Sequence, residues 1–123
     1  REILPKMVPM ETATKQMGHI AGFVTGLFTE NLDLISRSLV DELAEPYRGK
    51  LIPGYESVRD AALEQGALGC GISCSGPSMF ALCATEEIAQ KSGKAMQVAF
   101  QKAGLASDIF LSGISKQGAR ILD

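Results

Sequence analysis

The sequence predicts an α+β domain, with helices layered on one face of an antiparallel sheet. Three observations predict it. Apolar residues recur every three or four positions from Glu11 to Phe28, and again from Leu32 to Leu43. That period breaks at Ala67, where two short apolar segments flank the turn-forming run Ser73-Cys74-Ser75-Gly76-Pro77-Ser78. Helical spacing returns after Thr85, and residues 107–115 then alternate Ile109 and Leu111 with polar neighbours.

The elements follow in order. Pro5 and Pro9 mark an entry loop. Ala13, Met17, Ile20 or Ala21, Val24 and Phe28 carry the first helix, and Gly18, Gly22 and Gly26 form a stripe along it. Each glycine costs a helix about 1 kcal/mol relative to Ala. Three in register therefore indicate close packing of a neighbour, in preference to a binding groove. Thr29 or Asn31 can cap a second helix whose face is Leu32, Ile35, Leu39 and Leu43, with Pro46 as its stop. Residues 45–54 read as a loop holding two prolines, two glycines, Arg48 and Lys50. A third helix spans Tyr55 to Gln65, and Gly66 ends it.

Residues 67–73 and 78–84 read as paired strands. Thr85 caps a helix with Ile88, Ser92, Ala95, Ala99 and Ala103 on one line and Met96 and Phe100 beside it, closed by Gly104. A split strand–helix–strand–strand–helix–strand plan has one more strand before its first helix, expected here upstream of Arg1. The sequence shows one domain, with no internal repeat and no low-complexity segment.

Composition bounds the function. The 123 residues are 46% hydrophobic with a net charge of −2, enough for one modest core. No basic run occurs and Trp is absent, which argues against nucleic acid or an anionic membrane surface as partner. Three cysteines, Cys70, Cys74 and Cys83, match no common zinc spacing and read as reduced thiols of a cytoplasmic protein. No signal peptide is apparent, and the apolar stretch from Met17 to Phe28 is too short to span a bilayer. A start without Met suggests a piece of a longer chain.

The chemistry that can be read from residues alone is limited. The run Ser73–Ser78 is poor in large side chains, so its backbone could meet an anion or another backbone; it could equally be a plain hairpin turn. Arg48 on a proline-braced loop suits a carboxylate or phosphate, with a solvated cation or a salt bridge to Glu45 as the alternative. Arg1 is similar. His19, the sole histidine, reads as a packing or hydrogen-bonded residue. Asp41, Glu42 and Glu45 could hold Mg²⁺, but an acidic face at the end of the second helix is the default reading, electrostatically unfavourable there unless Arg48 or Lys50 answers it.

The segment Gly71-Ile-Ser-Cys-Ser-Gly-Pro-Ser-Met-Phe-Ala-Leu82 resembles the third signature motif of the GHMP small-molecule kinases. Ala44-Glu-Pro-Tyr-Arg48, Leu51-Ile-Pro-Gly54, His19-Ile-Ala-Gly-Phe23, Ile3-Leu-Pro5 and Gly118-Ala-Arg-Ile-Leu122 are similar to the homoserine kinase branch of that family. The resemblance covers the chain from end to end. It implies that residues 1–123 are a single C-terminal domain of ferredoxin-like kind, supplied without the ATP-binding N-terminal part. It implies transfer of the ATP γ-phosphoryl group to L-homoserine in threonine biosynthesis, with ATP and Mg²⁺ held mainly by the other part.

It also implies roles for individual residues. Arg48 and Arg1 match arginines that bind the amino-acid substrate. Ser73, Cys74, Ser75 and Gly76 match a hairpin tip that reaches toward the phosphate loop, with Cys74 standing where the family usually has glycine. No residue of the chain is assigned as catalytic, and none as a metal ligand. A homodimer is expected from the open sheet edge, and the chain alone is expected to be inactive. Two rivals stand beside this reading: a self-sufficient ferredoxin-like module that binds a small metabolite, and another GHMP-type kinase.

Overall fold

The computed structural model describes residues 3–119 and 121. Its helices are α1 (Met10–Phe28), α2 (Leu32–Ser38), α3 (Glu45–Arg48), α4 (Tyr55–Glu64) and α5 (Glu86–Lys102), and its strands are β1 (Gly69–Ile72) and β2 (Met79–Leu82). A single 3₁₀ turn, Gly49–Leu51, continues α3. The architecture is α+β, as the periodicity requires.

α1 and α2 form an antiparallel pair. Asn31 caps α2 by accepting the Leu34 amide at 2.9 Å, which satisfies one of the first-turn donors. The pair is tight because α1 presents glycine to it. A Cβ on Gly26 would lie 2.8 Å from Ile35 Cγ1, and one on Gly22 would strike the Ser38 hydroxyl. Gly18, third in the stripe, has nothing within 4 Å. The apolar residues that carry the period, Met17, Ile20, Val24 and Phe28, are exposed. The closest approach of α1 to α2 is thus made at Gly22 and Gly26.

α2 ends at Ser38, well before Leu43. The expected loop 45–54 instead contains α3, with Pro46 in its first turn rather than closing α2. Pro lacks an N–H, so it costs nothing where a helix has no partner for one.

β1 and β2 pair antiparallel, Gly69 with Leu82 and Ile72 with Met79. Their Cys70 and Ala81 side packs with α4 and α5 around Val58, Ala62, Ala67, Met96 and Ala99. Ser92, fully buried in α5, donates to the Ala62 carbonyl at 3.3 Å. Gly69 and Gly71 face the other way, toward Leu39 and Glu45. Thr85 caps α5 through the Ile88 amide at 3.2 Å.

The strand expected over 107–115 does not form. That segment lies along α5, where Gln97 donates to the Ser107 carbonyl at 2.8 Å and Ile109 packs on Gly93. A strand exists only against a partner. In the split plan the fourth strand borders the first, and no such strand is present among the described residues. No described helix is long and apolar enough to cross a membrane.

Candidate functional site

The hairpin tip is built by two residues with left-handed backbone. Gly76 has φ +77°, which glycine adopts freely. Cys74 has φ +55°, a conformation that disfavours side chains. The tip therefore makes a real backbone demand at this position, and Cys74 meets it with a small side chain. The turn closes through Gly76 N–H to Ser73 O at 3.0 Å and Ser73 N–H to Ser78 O at 2.8 Å. The amides of Cys74 and Ser75 donate to no group among the described residues. Ser73, Cys74 and Ser75 are exposed.

Arg48 ends α3 and reaches this tip. Its Nη1 donates to the Cys74 carbonyl at 2.6 Å. Ile52, buried just beyond the 3₁₀ turn, supports the same contact: its Cδ1 would lie 3.3 Å from a Cβ on Gly76. The structure thus brings Arg48 and residues 73–76 together. Arg48 makes no salt bridge with Glu45. Among the described residues one of its five N–H donors is spent, on Cys74, which leaves the others for an anion. Arg1 lies outside the described residues.

The acidic residues are arranged differently from the expectation. They stand at the N-terminus of α3, not at the C-terminus of α2, which converts an unfavourable placement into a favourable one. Asp41 Oδ1 accepts the amides of Leu43 and Ala44, each at 2.8 Å, and Oδ2 accepts that of Glu45 at 3.2 Å. Glu42 lies 3.5 Å from His19 Nε2. Burial and the Asp41 charge push the Glu45 carboxyl up, against the lowering effect of Arg59. No group of three His, Cys, Asp or Glu side chains converges as a metal set among the described residues. Nothing in the sequence pattern marks Asp41 as a cap, because a four-residue helix has no period to read.

Two clefts accompany these elements. One, of about 810 Å³, lies between α2, α4 and β1 and takes in Glu45, Tyr55 and Arg59. The other, of about 210 Å³, lies between α1 and the sheet beside His19 and Phe80. Neither includes Arg48 or residues 73–76. The tip and its arginine stand on an open surface, as one wall of a site would. The three thiols are free: Cys70 is buried, Cys83 half-buried and Cys74 exposed.

Comparison with known proteins gives a consistent picture. The family model described as GHMP kinases C terminal matches residues 20–113. The homoserine kinase of Chlorobaculum tepidum is 50% identical over 124 residues, a match covering 99% of this chain and 38% of that protein. The homoserine kinase of Chlorobium phaeobacteroides strain BS1 is 49% identical, with 99% and 39% covered. The crystal structure of homoserine kinase from Cytophaga hutchinsonii superposes with a TM-score of 0.92 at 47% identity, over 96% of this chain and 38% of that one. The chain spans about two-fifths of the length of the curated relatives it matches.

Proposed function

The chain belongs to the GHMP kinases as a C-terminal domain, and from that premise we propose that it is the substrate-side part of a homoserine kinase. The reaction moves the γ-phosphoryl group of ATP to the side-chain hydroxyl of L-homoserine. A bond forms between that oxygen and the γ-phosphorus, the bond to the β,γ-bridging oxygen breaks, and the hydroxyl proton leaves. ADP and O-phosphohomoserine result, on the route to threonine. Catalysis of this kind rests on positioning and charge neutralisation.

The observation that carries the proposal is the Arg48–Cys74 contact, which places a guanidinium beside a bare backbone tip. Arg48 clamps the homoserine carboxylate, with its guanidinium anchored through Nη1 on the Cys74 carbonyl. Arg1 supplies a second cation. Ser73, Cys74, Ser75 and Gly76 form the wall against which the phosphate loop of the preceding part closes. ATP and Mg²⁺ are held mainly by that part; Asp41 here accepts three backbone amides. The enzyme works in the cytoplasm, and the sheet edge left open in the 123-residue chain favours its self-association.

Two measurements test this reading. The full-length protein, offered ATP with homoserine, mevalonate and galactose, is expected to phosphorylate homoserine, and turnover of another alcohol in its place would overturn the assignment. The 123-residue chain alone is expected to show no turnover and no tight calorimetric binding of homoserine, threonine or ATP. Tight binding by the isolated chain would instead favour a self-sufficient metabolite-binding module.

A further inference from the structure

We propose that Asp41 is a positioning residue for Arg48, so that substrate affinity depends on a carboxylate that never meets the substrate; this rests on Arg48 being the homoserine clamp. The hydrogen bonds run without a gap from one residue to the other. Asp41 accepts the amides of Leu43, Ala44 and Glu45. The Ala44 carbonyl then accepts the amides of Tyr47 at 3.1 Å and Arg48 at 2.9 Å. Pro46 has no amide to satisfy. Every N–H in the first turn of α3 is therefore accounted for, and Asp41 holds the three residues from which the helix starts.

Asp41 is itself held from both sides. Gln16 of α1 accepts the Glu42 amide at 2.8 Å and donates to the Val40 carbonyl at 3.4 Å. A four-residue helix cannot sustain itself, because nucleation costs more than so few bonds return. Without the Asp41 acceptors the turn loosens, and Arg48 samples many orientations in place of one. The loss falls on homoserine binding rather than on the phosphate chemistry.

The test uses the full-length enzyme and four variants: Asp41→Ala, Asp41→Asn, Arg48→Ala and the double Asp41→Ala/Arg48→Ala. Asp41→Ala is expected to raise the homoserine KM about tenfold, with kcat within about threefold and the ATP KM unchanged. Asp41→Asn keeps the Oδ1 acceptor and is expected to raise the homoserine KM about threefold. The double variant is expected to match Arg48→Ala alone, since a positioning residue has nothing left to position. Should Asp41→Ala fail to fold, as judged by circular dichroism, Asp41→Asn and its pairing with Arg48→Ala carry the same comparison. An unchanged homoserine KM in folded Asp41 variants overturns the inference, as does a full Asp41 effect in the Arg48→Ala background. If Arg48→Ala itself leaves the homoserine KM unchanged, the clamp reading fails, and this inference with it. If only the Arg48 variant responds, the clamp stands and the Asp41 role falls.

Discussion

The Arg48 guanidinium donates to the Cys74 carbonyl oxygen at 2.6 Å, across 26 residues of sequence. The bond joins the last residue of α3 to the one non-glycine position in the hairpin tip whose φ is positive. Two short loops, each weakly structured by itself, become a single surface through it. A backbone carbonyl is the acceptor, so the link survives any change of the Cys74 side chain that preserves the tip's conformation.

Arg48→Ala in the full-length enzyme is expected to raise the homoserine KM by one to two orders of magnitude, as loss of a charge-assisted, two-bond carboxylate contact does. Arg48→Lys keeps the charge but not the planar fork, and should recover only part of that loss. Steady-state kinetics with homoserine as the varied substrate makes the measurement. Wild-type KM and kcat/KM in Arg48→Ala would remove Arg48 from the substrate site.

At Cys74 the backbone and the side chain disagree. A left-handed conformation costs a side-chain-bearing residue about 1–2 kcal/mol, while glycine gives back about 0.5–1 kcal/mol in unfolded-state freedom. Cys74→Gly should therefore be neutral to stabilising by about 1 kcal/mol. Cys74→Val, branched at Cβ, should destabilise. Denaturant unfolding of both variants decides the matter, and a Val variant as stable as Gly would show that the tip's backbone is not constrained.

The glycines of α1 predict opposite signs for one chemical change. Gly18→Ala meets open space and should stabilise by about 1 kcal/mol through helix propensity. Gly26→Ala places a Cβ 2.8 Å from Ile35 Cγ1 and 3.0 Å from the Ile35 amide nitrogen, and should destabilise by about 1–3 kcal/mol. Urea midpoints of the two variants read the difference. Equal shifts would mean that α1 and α2 do not pack as described.

Stability at high pH should report the burial of the Cys70 thiol. Burial, then the Glu45 charge, pushes the Cys70 thiol up to about 12 from an ordinary value of 9.0. A raised folded-state pKa gives stability that is whole below pH 9 and is lost as pH climbs toward 12, because the unfolded chain releases its proton first. Unfolding free energy should fall across that window, and Cys70→Ala should flatten the fall. A thiol reagent at pH 8 should meet Cys74 first. For Glu45, also raised, the stabilising form is the protonated one, present below pH 4.5 and lost as pH rises through the folded value. Glu45→Gln is thus expected to raise the melting temperature at pH 7 and to change it little at pH 4. A lower melting temperature at pH 7 would show that the charged carboxylate is stabilised in the fold.

Local signals were legible where the physics is local. Asn31 and Thr85 announce helix starts because their side chains serve amides three residues on, and both caps are present. Ser73–Ser78 is readable as a turn from its own residues, and the likeness in 44–54 and 71–82 led to the family. What stayed hidden depends on distant partners. Pro46 looks like a stop for α2 until Asp41 is seen holding a new helix open beneath it. Residues 107–115 read as a strand from Ile109 and Leu111, but apolar residues specify a face, not a neighbour, and among the described residues no neighbouring strand is there.

The sequence by itself determined the order and kind of most elements, the bare composition of the tip, and the presence of a cation on a rigid turn, because each depends on a few adjacent residues. Only the tertiary structure decided that α1 packs on α2 through Gly22 and Gly26 while Met17, Ile20, Val24 and Phe28 stay exposed, that Asp41 caps rather than binds, and that Arg48 meets Cys74. Those outcomes turn on which surfaces can approach most closely, and close approach is a property of pairs of elements that no stretch of chain contains alone.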